Sequence, residues 1–165
     1  DLEAAALALA DVKPPQGRGS RLAWGEGDRR ITLIDESYNA NPTSMRAAFA
    51  LLAQTQIGER GRRIAIVGDM LELGRDAETM HAGLVDSIED HQIDCVYACG
   101  PLMRALFDAL PKTKQGGWFE NSRLLAASIT DAIHAGDAVM IKGSNGSRMR
   151  EVVDALKNRF DKDKV

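Results

Sequence analysis

The sequence is poor in the residues that build disulfide frameworks and metal centres. Its 165 residues include only two cysteines and three histidines, and aromatic residues make up 5%. Cys95 and Cys99 lie on one apolar run, where a separation of four residues in a strand puts them on one face but too far apart to bridge. We therefore expect two buried free thiols, as in a reducing compartment, and no metal centre. On its predicted helix, His81 is interpreted as a surface or boundary residue.

The chain also lacks an excess of either charge and any long hydrophobic run. Its net charge is -3, with acidic and basic residues interspersed, which disfavours a nucleic-acid partner because such proteins present a basic face. No apolar stretch approaches the roughly eighteen residues of a membrane span, and no signal-peptide pattern is present. We expect a globular, cytoplasmic protein with neither a nucleic-acid nor a membrane partner.

Three common site patterns are absent as well. The sequence has no Gly-x-x-x-x-Gly-Lys-Ser/Thr loop, no Gly-x-Gly-x-x-Gly after its first strand and no Gly-x-Ser-x-Gly elbow. A conventional NAD enzyme and a serine hydrolase are therefore disfavoured, and the chain carries no P-loop for ATP.

Strand-like and helix-like segments alternate from Ile31 onward. This alternation predicts an α/β fold, a Rossmann-like, doubly wound and mostly parallel sheet covered on both faces. A hairpin of residues 21–24 and 30–34 is expected to add an antiparallel edge. The predicted later strands are 64–67, 94–98, 117–119 and 137–141, and the predicted helices are 44–54 with Thr43 or Ser44 as cap, 77–89, 101–109, 122–135 and 148–160, with a frayed tail at 161–165.

A domain boundary is predicted near the amino terminus. Residues 1–12 have a helical Ala- and Leu-rich pattern that begins without Met, which looks like a cut edge. Residues 13–19, Lys-Pro-Pro-Gln-Gly-Arg-Gly, are typical of a linker because paired prolines stop a helix and glycines free the backbone. We assign residues 1–13 to a remnant helix plus hinge and residues 14–165 to one domain.

Polar residues follow three predicted strands, at 35–41, 68–72 and 142–147. Because the carboxyl ends of parallel strands share one edge, we expect these segments to face one ligand. The first has more carboxylates and carboxamides than one helix cap needs. Asp69 could bind a metal or a ligand amine, or cap a turn. Lys142 and the small-residue loop after it could hold a phosphate or carboxylate, or form a glycine cap beside a solvated lysine.

The strings Tyr-Asn-Ala-Asn-Pro at 38–42, Gly-Asp-Met-Leu-Glu-Leu-Gly at 68–74 and Lys-Gly-Ser at 142–144, together with His81, resemble the carboxy-terminal domain of the MurF branch of the Mur ligases. The resemblance implies an ATP- and Mg²⁺-dependent amide ligase that adds D-Ala-D-Ala to UDP-MurNAc-tripeptide in peptidoglycan synthesis. It also implies that residues 1–13 correspond to the end of a central ATPase domain. The magnesium ligands and the UDP site would lie on the missing amino-terminal and central domains, so the fragment is not expected to catalyse alone.

The resemblance also implies roles for individual residues. Arg18 would approach the terminal phosphate, and either Asp35 or Glu36 would hold the ribose. We expect replacement of Asn39 and Asn41 by Ala to impair ligation and leave the domain folded. The implied nucleotide-binding residues are Arg18, Asp35, Glu36, Tyr38, Asn39 and Asn41, and the implied dipeptide-binding residues are Asp69, Met70, Leu71, Lys142, Gly143 and Ser144, with Lys142 meeting the dipeptide carboxylate.

Besides a purely structural interaction domain, which would bind no small molecule at the three strand ends, two alternatives remain at this point. The first is a free-standing Rossmann-like nucleotide-binding module, against which the hinge-like Pro-Pro-Gln-Gly-Arg at 14–18 argues. The second is another Mur ligase domain, or one of the folylpolyglutamate type, with a different amino-acid substrate. The Tyr-Asn-Ala-Asn-Pro string disfavours the second alternative.

Overall fold

A computed structural model describes residues 15–162, and the remnant helix predicted at 1–12 lies outside these residues. The described part contains six strands and six α-helices, joined by short loops and 3₁₀ turns. In chain order they are β1 (Ser20–Trp24), β2 (Ile31–Glu36), α1 (Pro42–Ala53), β3 (Arg63–Gly68), α2 (Ala77–Ala82), α3 (Val85–Asp90), β4 (Cys95–Cys99), α4 (Met103–Ala109), β5 (Gln115–Phe119), α5 (Ser122–Ile129), β6 (Ala138–Lys142) and α6 (Arg150–Lys162).

The six strands form one sheet in the order β1-β2-β6-β3-β4-β5. Strand β1 pairs antiparallel with β2, and the other four neighbouring pairs are parallel. The central strands β3 and β6 are almost continuously apolar, as expected where both faces of a sheet are covered. The predicted mostly parallel sheet with an antiparallel edge hairpin is therefore confirmed.

Helices cover the two faces of the sheet in two groups. Helices α1 to α4 pack on one face, where Phe49 and Met45 of α1 meet Ile34 and Met140 of the strands. Helices α5 and α6 pack on the other face, where Leu125 and Leu156 are among the buried residues. This arrangement is the predicted doubly wound architecture. No helix among residues 15–162 is long and apolar enough to cross a membrane.

The start of α1 differs from the prediction. The helix begins at Pro42, and its N-cap is Asn41 rather than Thr43 or Ser44. Asn41 Oδ1 accepts a 2.8 Å hydrogen bond from the Ser44 amide, and Ser44 Oγ accepts one of 3.0 Å from the Asn41 amide. Proline suits the first helical position because its missing N–H would have no partner there. Ser44 therefore completes a capping box as the third helical residue.

Two other predicted helices are not continuous α-helices. The segment 77–89 is divided into α2 and α3 by a turn at Gly83, a residue with low helix propensity. The segment 122–135 leaves the α-helix after Ile129 and continues as a 3₁₀ turn, Thr130–Ala132.

The carboxy-terminal helix has the predicted length but lies two residues further along the chain, because α6 spans Arg150–Lys162 and not 148–160. Asp161, which was predicted to lie in a frayed tail, accepts a 2.6 Å hydrogen bond from Trp24 Nε1. Both cysteines are free, as predicted, although only Cys99 is fully buried.

Candidate functional site

The loops after β2 and β6 leave the sheet toward opposite faces. The β2 loop leads to α1, and the β6 loop leads to α6 on the other side. Because β2 and β6 are neighbours, a crevice opens between the two loops, which is where open α/β sheets bind their ligands. A cavity of about 170 Å³ lies in this crevice, lined by Gly17, Arg18, Glu36, Tyr38, Asn39, Asn41, Ser44 and Lys142.

Lys142 lies at the bottom of the cavity, with 4% of its surface exposed. Its Nζ atom donates a 2.8 Å hydrogen bond to the Asn39 carbonyl oxygen and lies 3.8 Å from Glu36 Oε2. Burial lowers the pKa of Lys142, and the Glu36 carboxylate opposes this shift. The lysine is not solvated, so this alternative is excluded. Lys142 anchors the β2–α1 loop and lines the same cavity as the nucleotide candidates.

Asp35 is 2% exposed, and its carboxylate is held by internal donors. Oδ1 accepts hydrogen bonds from the Ser37 amide at 3.1 Å and the Ser37 hydroxyl at 2.6 Å. Oδ2 accepts from the Gly17 amide at 3.2 Å and from Arg150 Nη1 at 3.1 Å. This carboxylate therefore ties the end of β2 to the preceding hinge segment and to α6.

The neighbouring acid, Glu36, faces the cavity, with 24% of its side chain exposed. Burial raises the pKa of Glu36, the Asp35 carboxylate adds to this shift, and Lys142 opposes it. Glu36 pairs directly with Lys142 in the parallel ladder of β2 and β6. Of the two acids, only Glu36 is among the residues that line the cavity.

Residues 17–19 of the segment predicted to be a hinge lie against the end of β2. The Tyr38 amide donates to the Gly17 carbonyl oxygen at 3.1 Å, and the Gly19 amide donates to the Asp35 carbonyl oxygen at 2.9 Å. Gly17 has φ 76°, and a Cβ atom there would lie 3.0 Å from Tyr38 Cβ, so a side chain would be strained on both counts. Arg18 Cζ lies 4.2 Å from the centroid of the exposed Tyr38 ring, a cation–π contact at the mouth of the cavity.

The second predicted segment forms a neighbouring loop. The Asp69 carboxylate is buried and accepts a 2.8 Å hydrogen bond from the Met103 amide at the start of α4, a helix far along the chain. Burial raises the pKa of Asp69, and its hydrogen bonds to the Met103 and Leu102 amides oppose this shift. Asp69 therefore caps a distant helix. Residues 15–162 contain no group of three or more His, Cys, Asp or Glu side chains that could hold a metal ion.

Ser144 links the loop after β2 to the loop after β3. Its hydroxyl accepts a 2.9 Å hydrogen bond from the Leu71 amide and donates one of 3.3 Å to the Ala40 carbonyl oxygen. Its own amide donates to the Asp69 carbonyl oxygen at 2.9 Å. The structure thus brings together all three predicted strand-end segments.

The two dipeptide candidates next to Asp69 differ in exposure. We call the three strand-end segments 35–41, 68–72 and 142–147 the rim. The Met70 side chain is enclosed in the core and does not reach the surface of the rim, whereas 39% of Leu71 is exposed. Gly143 lies beside Gly68 of β3, and a Cβ atom at Gly143 would collide with the side chains of Ser147 and Met149. Glycine at position 143 therefore allows the loop after β6 to approach β3 closely.

The sequence analysis was wrong about His81. This residue is fully buried, and its Nε2 atom accepts a 2.9 Å hydrogen bond from the Met70 amide. Its Nδ1 atom lies 2.6 Å from the Ala77 carbonyl oxygen. Periodicity gave no sign of this role; only the string shared with the Mur ligases drew attention to His81.

Residues 20–145 match the family model described as Mur ligase, glutamate ligase domain. The chain belongs to the Mur ligase family. This Mur ligase domain is 33% identical over 154 residues to UDP-N-acetylmuramoyl-tripeptide–D-alanyl-D-alanine ligase of Rickettsia prowazekii. The aligned region covers 93% of the chain and 33% of that relative. The chain thus spans about a third of the length of this curated relative, as it does for the solved structures below.

Solved structures agree with this assignment. The Mur ligase domain superposes on MurF from Acinetobacter baumannii with a TM-score of 0.77 at 26% identity, covering 96% of the chain and 34% of that structure. MurF ligase from Thermotoga maritima, solved in complex with ADP, has the same fold, with a TM-score of 0.74 at 23% identity over 94% of the chain and 34% of that structure. The predicted resemblance to the MurF carboxy-terminal domain is confirmed.

Proposed function

We propose that this Mur ligase domain is the carboxy-terminal part of an ATP-dependent ligase that joins D-Ala-D-Ala to UDP-MurNAc-tripeptide. The observation that carries the proposal is the cavity between β2 and β6, where Glu36 and Asn39 meet Arg18 and Lys142. The names of its relatives support the substrate pair. In such a ligation the tripeptide carboxylate is activated by ATP as an acyl phosphate, and the dipeptide amine then displaces phosphate to form the amide.

The cavity fits part of a nucleotide. Its volume of about 170 Å³ is below the ~300–1,000 Å³ of complete small-molecule sites, so a second domain must supply the rest. The Glu36 carboxylate is placed to accept hydrogen bonds from ribose hydroxyls, and the exposed Asn39 carboxamide can both donate and accept. Arg18 would offset the charge of the transferring phosphoryl group. The ADP complex of the Thermotoga maritima relative supports nucleotide binding by the complete ligase.

We place the Mg²⁺ ligands on the other domains of the complete ligase and not on this domain. Among residues 15–162, acidic, His and Cys side chains do not form a cluster suited to a metal ion. The most buried acids near the rim, Asp35 and Asp69, already accept hydrogen bonds from protein donors. We therefore infer that Mg²⁺ reaches the reaction through the central domain and the phosphates of ATP.

The incoming dipeptide is assigned to the loops after β3 and β6. Exposed Leu71 can contact a methyl group of the dipeptide, and the loop of Gly143 and Ser144 lies directly beside it. Because Lys142 Nζ already binds the Asn39 carbonyl oxygen, we infer that Lys142 contributes mainly by holding the rim. Asp69 and Met70 would contribute through the shape of the loop.

Closure of the domain would complete the site. Rotation about the linker predicted at Pro14 to Gly19 would bring the rim over a P-loop domain and exclude water from the acyl phosphate. We infer a cytoplasmic location, because the proposed reaction uses ATP and a UDP-linked precursor, and the two free thiols agree with a reducing compartment.

The test uses a complete ligase that carries this chain as its carboxy-terminal domain. We expect phosphate release to require ATP, UDP-MurNAc-tripeptide and D-Ala-D-Ala together. Asn39→Ala should raise the KM for ATP about tenfold. Turnover with L-glutamate instead of the dipeptide would assign the domain to another branch of the family. Tight ATP binding by the 165-residue chain itself, with no ligation in the complete protein, would identify a nucleotide-binding module instead.

A further inference from the structure

His81 is fully buried in α2 and makes hydrogen bonds through both ring nitrogens. The Met70 amide can only donate, so Nε2 must be the unprotonated nitrogen. The Ala77 carbonyl can only accept, so Nδ1 must carry the proton. The two bonds fix one neutral tautomer and one ring orientation. The rest of the ring is enclosed by protein. The role that the structure shows for His81 is therefore to accept the hydrogen bond of the Met70 amide.

The loop that His81 holds has a strained backbone. Glu72 has φ 62°, a left-handed conformation that residues with a side chain avoid. Such a conformation persists only where the surroundings impose it. The surroundings here are three hydrogen bonds before Glu72: Met70 amide to His81, Leu71 amide to Ser144 Oγ, and Ser144 amide to the Asp69 carbonyl oxygen.

Of these three contacts, only the one to His81 comes from a helix packed behind the loop. The other two come from Ser144, which itself lies on the opposing rim loop. Ser144 can therefore keep the two loops together but cannot fix their position relative to the core. That position is set from the core side: the Asp69 carboxylate accepts from the Met103 amide of α4, the Met70 side chain is buried, and the His81 ring on α2 accepts from the Met70 amide and so fixes the backbone at the first residue after Asp69.

We propose that His81 is a positioning residue for the ligation, which sets the Leu71 and Ser144 side of the rim through the Met70 amide. This inference rests on the proposed function, because it assumes that this loop receives the dipeptide. Loss of the Nε2 acceptor would free the Met70 amide and let Glu72 relax. The dipeptide amine would then be misplaced, while the nucleotide cavity, held by Lys142 and Asp35, would stay intact.

The test compares three substitutions in the complete ligase. His81→Leu removes both contacts. His81→Gln can place its side-chain oxygen near the Nε2 position and accept from Met70, whereas the shorter His81→Asn cannot reach it. His91→Leu is the matched control, because His91 Nδ1 makes the same contact four residues back, to the Ser87 carbonyl oxygen at 2.7 Å, away from the rim.

We expect His81→Leu and His81→Asn to raise the KM for D-Ala-D-Ala by about tenfold to a hundredfold, with the KM for ATP within about twofold of wild type. His81→Gln should restore most of the loss, and His91→Leu should leave both constants unchanged. Equal effects on both constants, or an Asn variant as active as the Gln variant, would overturn the proposal. If the Leu variant does not fold, the Gln and Asn pair decides.

A second measurement separates this inference from the proposed function. In the 165-residue chain, ring nitrogen NMR should show a protonated Nδ1 and an unprotonated Nε2 at His81. Amide hydrogen exchange at Met70 and Leu71 should accelerate in the Asn variant and recover in the Gln variant. If these changes appear but the wild-type ligase ignores the dipeptide, the proposed substrate is wrong and the positioning contact stands. Unchanged exchange in the Asn variant would overturn the positioning contact itself.

Discussion

The Nζ atom of Lys142 donates a 2.8 Å hydrogen bond to the carbonyl oxygen of Asn39, across 103 residues of sequence. This contact holds the β2–α1 loop against the end of β6, and both residues line the crevice cavity. A buried cation thus fixes the backbone of the loop, whose exposed Asn39 carboxamide lines the cavity.

Lys142→Met tests this role because methionine keeps the unbranched stem and removes the donor. We expect the domain to fold and to lose about 1–2 kcal/mol of unfolding free energy, since a hydrogen bond from a charged group is lost. The KM for ATP in the complete ligase should rise about tenfold. Lys112→Met, at an exposed site, is the control, and an unchanged KM for ATP in the Lys142 variant would contradict the anchoring role.

The two adjacent acids should respond differently to amide substitution. Asp35→Asn disturbs a carboxylate that accepts from Gly17, Ser37 and Arg150, so we expect a loss of about 2 kcal/mol in a denaturant titration. Glu36→Gln should change stability by less than about 0.5 kcal/mol and instead raise the KM for ATP. The reverse pattern would assign the ribose contact to Asp35.

Asn41 combines a capping role with a place at the cavity. Asn41→Ala should cost about 1 kcal/mol of unfolding free energy because the Ser44 amide loses its acceptor. Asn41→Ser keeps a cap of similar strength and removes the carboxamide. Thermal unfolding and the KM for ATP of the two variants separate these roles. A Ser variant with wild-type kinetics would show that Asn41 only caps the helix.

Asp69 should make stability depend on pH. Its folded-state pKa is raised above the ordinary 3.8 by burial, so its favourable contribution is complete below pH 3.8 and is lost as the pH rises through the folded-state value. Asp69→Asn keeps an acceptor for Met103 and removes the titration. We expect the stability of this variant relative to wild type to increase between pH 3.8 and neutrality. Urea titrations across this pH range measure the difference in unfolding free energy, and Asp108→Asn is the control for net charge. A difference between Asp69→Asn and wild type that stays constant or falls with pH would refute the raised pKa of Asp69.

Features that depend on local interactions could be predicted from the sequence, and features that depend on contacts between distant residues could not. The alternating segments determined the strands and the two-sided sheet, because periodicity reports local burial. Helix ends were less well predicted: the cap of α1 lies three residues from Ser44 at Asn41, and Gly83 divided a predicted single helix. A helix end depends on small energy differences between neighbouring residues that can cap the helix almost equally well.

The sequence by itself determined the fold class, the three polar strand ends and, through its shared strings, the Mur ligase family. Only the tertiary structure decided which strand ends adjoin: β6, last in the chain, inserts between β2 and β3 and brings Lys142 to Glu36. It also decided that Asp35 faces inward, that Asp69 caps α4 and that His81 supports the rim loop. These contacts join residues far apart in the chain, and the direction of a buried polar side chain depends on partners that no local pattern contains.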